Sequence, residues 1–151
     1  MSDAFEKKIA EIIADIRQAE EEGKYEKVHQ KLLKKRLEWY ENNKENLNLS
    51  GTDVRKAYEM VLFRYMNITP EDVPTTYEDE RKITWISFNP CPVLEACNRL
   101  DVDTRRACKE GWEKSVQAMI EKINPNLRFS RNYEILRPHG EYCEETIELI
   151  E

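Results

Sequence analysis

Four cysteines are the residues of this sequence whose type and grouping could carry chemistry. All of them, Cys91, Cys97, Cys108 and Cys143, follow a stretch of ninety residues that contains none. Their spacing, Cys-x5-Cys-x10-Cys-x34-Cys, matches neither the paired knuckles of a zinc finger nor the close cysteine run of a ferredoxin. Three chemistries stay open. The four thiolates, with His139 as a further donor, could hold zinc or an iron–sulfur cluster. One or two could act as nucleophiles or thiol-dependent ligand contacts. They could also be small buried side chains, since unpaired cysteine is among the most buried residue types, a reading strongest for Cys108 on an apolar helix face.

The surroundings of the cysteines point to a pocket. Cys91 is expected at the end of a strand, Cys97 at a turn before a helix, Cys108 in that helix's first turns and Cys143 beside the Pro138-His139-Gly140 turn. Strand ends and helix starts are where pockets form in sheet-containing domains. A thiol at a helix start is also drawn towards its thiolate form by the free amides and the helix dipole. The catalytic candidates are therefore Cys97 and Cys143, with His139 and Glu95 as acid or base; Glu144 and Glu145 share the neighbourhood. Arg131 and Arg137 could grip the carboxylate of a ligand or cofactor through paired hydrogen bonds. His139 reads more simply as a surface turn residue, and His29, in a charged helix, as a solvated one.

The elements that must position these groups form two halves. Phe5, Ile9, Ile12, Ile13 and Ile16 recur at the helical period and predict a helix over 4–22, closed by Gly23. A second helix is predicted from about Lys24 to Asn46 on Tyr25, Val28, Leu32, Leu33, Leu37, Trp39 and Tyr40, and the short link makes the pair a hairpin. Ser50 or Thr52 caps a third helix through Val54, Ala57, Tyr58, Val61, Leu62, Tyr65 and Met66. Thr69-Pro70-Glu71-Asp72 predicts one more turn, and 73–82 is charged and irregular, the boundary between subregions 1–72 and 83–151 of a single domain.

Beyond it, 83–88 is β-branched and aromatic and reads as the first strand. A short helical turn is expected over 92–99, then a long helix capped by Asp101 or Asp103 and running to about Lys122. Extended segments follow at 127–131 and 133–136, and 142–150 alternates with Cys143, Glu145, Ile147 and Leu149 on one face, a strand in preference to a final helix turn. The fold class is α+β: a helical hairpin and third helix, then a small, mostly antiparallel sheet packed on a long helix.

Composition excludes several classes. Charged residues make up 36% of 151, the net charge is −6, and no apolar run approaches the length of a membrane span. An acidic chain is a poor nucleic-acid or membrane-surface binder. The run Lys31-Leu-Leu-Lys34-Lys35-Arg36, near Trp39 and Tyr40, is the one patch that runs against this, and it reads more simply as the solvated face of a helix diluted by acids at 20–22, 26, 38 and 41. No signal-type apolar region opens the sequence, so a cytoplasmic location with reduced thiols is expected. The two charged hairpin helices suggest a homodimer as a further expectation.

From residue 84 onward the order of features resembles the L-2-amino-thiazoline-4-carboxylic acid hydrolase-like family. The features are a strand into Asn89-Pro-Cys-Pro92, Glu95-Ala-Cys97, Cys108 in a helix, Leu127-Arg-Phe129 and Gly140-Glu-Tyr-Cys143. The resemblance implies a small prokaryotic α+β hydrolase that opens a sulfur-containing, carboxylate-bearing ring of cyclic amidine type, with Cys97, Cys108 and Cys143 lining the site and Cys91 beside them. The chain departs from the family where Glu144-Glu145, and not an aromatic, follows Cys143. A metal- or cluster-binding module that presents a ligand or partner without catalysis is the alternative.

Overall fold

A computed structural model describes residues 2–150. Helix α1 (Asp3–Glu22) begins where the Ser2 hydroxyl accepts a hydrogen bond from Phe5 N at 3.1 Å, with Asp3 and Glu6 in the first turn facing the positive end of the dipole. It ends at Gly23, whose φ of 74° is a left-handed conformation that costs glycine little. Helix α2 (Glu26–Asn43) returns beside it. Their apolar stripes are covered by the chain's own C-terminal half: α1 packs on helix α4 (Pro92–Leu100), and α2 on the helical segments that follow. The buried positions of the hairpin are thus covered from within the chain.

Helix α3 (Asp53–Tyr58), capped by Thr52, continues into a wider π turn over Glu59–Tyr65. The predicted long helix after residue 101 is three pieces. Asp101 ends α4 with φ 55°, and Asp103 caps α5 (Thr104–Ala107). A second π turn, Cys108–Trp112, leads to α6 (Lys114–Ile120), with Glu113 N donating to Cys108 O at 2.8 Å. Gly111 lets this turn sit against α2, because a Cβ there would lie 3.1 Å from the Tyr25 ring.

The sheet is antiparallel throughout, in the order β1 (Thr75–Glu78), β2 (Lys82–Ser87), β4 (Cys143–Leu149), β3 (Leu127–Arg131). Strand β1 falls inside the stretch expected to be irregular. It is an edge strand with all four residues exposed, so it shows no alternation of apolar and polar residues. The segment 133–136 is a turn and not a strand. Asn132 Oδ1 accepts from Glu134 N at 3.1 Å and bends the chain there, and Leu136 buries itself behind the bend. The short turn expected at 92–99 is the nine-residue α4, opened by Pro92.

Register gives the inner face of the sheet a gradient. At one end Leu127, Ile147 and Ile83 pack with Val54, Ala57, Tyr58, Val116, Met119 and Ile120. At the other end the pairs are Trp85 with Glu145, Arg131 with Glu145 and Ser87 with Cys143. A second apolar cluster lies between α1, α2, α4 and the Cys108–Trp112 turn, and contains Ile9, Ile12, Ile16, Leu32, Val93, Cys97, Cys108 and Leu136. The polar end of the sheet faces the seam between the two clusters. No helix among the described residues is long and apolar enough to cross a membrane.

Candidate active site

At that seam lies a cavity of about 650 Å³. Its floor is buried and takes Ile12, Leu32, Leu62, Val93, Cys108, Val116, Leu136 and Cys143 from both clusters, with the buried Arg36 among them, and its rim is exposed at Lys35, Met66, Asn67, Thr69 and Pro90. A volume of this size accommodates a small metabolite. Both π turns border it, through Leu62 and Tyr65 in one and Cys108 and Trp112 in the other. Such wide turns concentrate at functional sites because they re-aim side chains out of the helical repeat.

Three of the four cysteines, Cys91, Cys108 and Cys143, line this cavity. Cys97 does not. It is fully buried in the second half of α4 and borders a separate hollow of about 330 Å³ with Asp103 and His139. The expected thiolate at a helix start is thus overturned for Cys97: burial, with Cys91, Asp103 and Glu20 nearby, pushes its thiol up to about 12. Burial also pushes the Cys91 and Cys108 thiols up. All four are free. Among the described residues no group of three His, Cys, Asp or Glu side chains is placed to hold a metal ion, so the four-cysteine ligand set with zinc or a cluster does not fit the geometry.

The other expected acid–base groups separate likewise. His139 Nε2 lies 3.2 Å from Asp103 Oδ1 on the far side of the loop from Cys143. Glu95 is half-buried on α4 and lines neither hollow, and Glu144 is on the opposite face of β4 from Cys143. Of the acids singled out in the sequence, Glu145 faces the cavity. It is buried, accepts from Ser87 Oγ at 3.4 Å and lies 3.5 Å from Arg131 Nη2.

Arg131 and Arg137 are both in the cavity wall, as expected. Arg131 is committed to two carboxylates: its Nε is 3.0 Å from Glu113 Oε1, and Glu113 in turn accepts a short hydrogen bond from the Tyr133 hydroxyl. Burial pulls the Arg131 guanidinium down, but Glu145, Cys108 and Glu113 outweigh it and hold the group above its ordinary value. Arg137 donates from Nε to Cys143 Sγ at 3.4 Å and from Nη1 to Asn89 O at 2.9 Å. The loop carrying Arg137 is fixed by Thr104 Oγ1, which donates to Arg137 O at 2.6 Å.

Glu113, Tyr133 and Ser87 carry no signal in the sequence that marks them for the site, and Arg36 stands out there only as part of a basic run. The run 31–36 is mostly the solvated helix face expected of it: Lys31 pairs with Asp15 at 3.0 Å and Lys34 and Lys35 are exposed, but Arg36 is buried. The signal for Arg36 was present, because it occupies the third place of the stripe Val28, Leu32, Arg36, the buried positions of α2. His29 likewise is half-buried, with Nδ1 enclosed and unpartnered, and not a solvated residue.

No family model, no curated protein and no solved structure matches the chain.

Proposed function

We propose that the protein is a small-molecule hydrolase whose nucleophile is Cys143, acting on a sulfur-containing, carboxylate-bearing ring of the cyclic amidine or thiazoline type. The observation that carries this reading is the placing of Cys143 Sγ in the wall of a cavity with an exposed rim, held by Arg137 and two residues from the cavity acid Glu145 on the same strand face. The resemblance of 84–151 to the thiazoline-carboxylate hydrolase-like family supplies the substrate class.

In this reading Cys143 Sγ adds to the amidine carbon of the ring, and the ring carbon–sulfur bond breaks as the leaving sulfur takes a proton. Water then attacks the resulting thio-linked carbon and returns Cys143 as a thiol. Glu145 is placed to carry protons in both steps, and Arg137 orients the attacking sulfur. The four unpaired cysteines suit a compartment that keeps thiols reduced, the cytoplasm.

The test is chromatographic detection of ring opening with 2-amino-thiazoline-4-carboxylate. Activity is expected in the native protein, its loss in Cys143→Ala and its retention in Cys97→Ala. Equal turnover by Cys143→Ala and the native protein would remove the proposal.

A further inference from the structure

The walls of the cavity run against the charge of the chain that forms them. In a protein of net charge −6, five cations, Lys8, Lys35, Arg36, Arg131 and Arg137, line it against two carboxylates, Asp72 and Glu145. Four of the five have their charge or donors accounted for in ways that can be named. Arg131 is held by Glu113 and Glu145, Arg137 donates to Asn89 O and Cys143 Sγ, Lys8 lies 4.0 Å from Glu11, and Lys35 is exposed to water. Arg36 is different.

Arg36 is only 5% exposed, and among the described residues no carboxylate pairs with it. Its Nη1 donates to two neutral acceptors, Trp112 O at 2.8 Å and Ser115 Oγ at 2.9 Å, while the enclosed Nε has no hydrogen-bond partner. It also meets Tyr65, whose ring lies 5.5 Å away and whose side chain favours the charged form of the guanidinium. A guanidinium cannot shed its charge at physiological pH, so a buried one without a counter-charge is costly unless an anion completes it. Burial lowers its pKa, with Arg131 adding to the effect and Tyr65 opposing it. The apolar residues of the floor, Ile12, Leu32 and Leu62 among them, offer nothing to an anion but much to a hydrocarbon or heteroaromatic body.

We propose that Arg36 is the anchor for the ligand's carboxylate, and that the cavity takes a monoanion whose apolar body packs on the floor while its charged head completes the Arg36 guanidinium. Arg131, the more obvious arginine, is already neutralised and serves to hold Glu145. The inference rests on the reading of the cavity as a ligand site and names the residue that reads the acid. Lys8 and Lys35 line the same wall and supply a cationic approach.

The experiment is calorimetric titration of the native protein with two matched pairs of probes, decanoate against 1-decanol and thiophene-2-carboxylate against thiophene-2-methanol, at low and at high salt. At least a tenfold preference for the acid is expected in one pair and should persist at high salt, because a buried pair is screened little. Arg36→Met is expected to abolish the preference and Arg36→Lys to keep part of it. Should Arg36→Met fail to fold, the acid-to-alcohol ratio at high salt still decides. Equal binding of acid and alcohol in both pairs, or a preference that vanishes with salt, would overturn the assignment. Equal binding alongside Cys143-dependent ring opening would overturn this inference alone, whereas a salt-resistant preference without ring opening would leave the anchor standing and remove the proposed reaction.

Discussion

Arg131 neutralises two buried carboxylates at once, one from β4 and one from the link between the Cys108–Trp112 turn and α6. Taking one partner from a buried ion network leaves the others uncompensated, and this outweighs what the intact network adds. Arg131→Met is expected to cost about 3–5 kcal/mol of unfolding free energy, read by urea titration, and adding Glu113→Gln and Glu145→Gln should recover part of the loss. Glu113 also sets a pH dependence. Burial pushes its carboxyl above the ordinary 4.5, against the pull of Arg131 and Tyr133. The native state therefore keeps a proton that the unfolded state has lost, so this group's contribution is full below about pH 4.5 and disappears as pH climbs through the raised native value. Thermal melts across that window should show Glu113→Gln gaining on the native protein as pH rises, by about 1.4 kcal/mol for each pH unit until Glu113 ionises in the native state. At this scale the sequence was half legible. The grouping of cysteines and arginines after residue 89 did mark the cavity wall, but periodicity cannot say which side of a loop a sulfur faces, and so Cys97 and Cys143 looked equivalent.

Among the elements, the two π turns and the sheet register do most to shape the site. Each π turn inserts an extra residue into a helical repeat, which sequence periodicity over 53–66 and 103–122 read as unbroken helix because the apolar residues remain inward on both sides of the insertion. The strand alternation of 143–149 was legible for the opposite reason: the period of two is strict, with Cys143, Glu145 and Ile147 buried and Glu148 exposed. Strand β1 was not legible, since an exposed edge carries no pattern. The loop between Arg137 and Cys143 depends on Gly140, where an added Cβ would lie 2.6 Å from Ile135 O and 3.1 Å from two more backbone atoms of the same residue. Backbone cannot move aside as a flexible side chain can. Gly140→Ala is expected to destabilise by about 1–3 kcal/mol, measured by urea unfolding, and to lower the proposed ring-opening activity because Arg137 and Cys143 shift with the loop.

On the scale of the whole molecule, two apolar clusters meet with a cavity left between them, and the sheet is apolar where it belongs to one cluster and charged where it meets the seam. The α+β class and the order of most elements followed from composition and periodicity, because an amphipathic helix and an alternating strand announce their buried faces locally. The seam did not, since it is made by residues as distant as Ile12, Leu62, Val93 and Cys143. Cavities between clusters are sites where side chains can be reached without unfolding, and this separates Cys143, 7% exposed on the larger cavity, from Cys97, which borders only the smaller hollow and is 0% exposed. The most direct measurement is the rate at which iodoacetamide modifies each cysteine of the folded protein near neutral pH, followed by peptide mass spectrometry. Cys143 is expected to be alkylated well ahead of Cys97 and to be slowed by a ligand filling the cavity. Modification of Cys97 as fast as Cys143, or of Cys143 only when the whole protein unfolds, would contradict the placing of a reactive thiol in an open cavity.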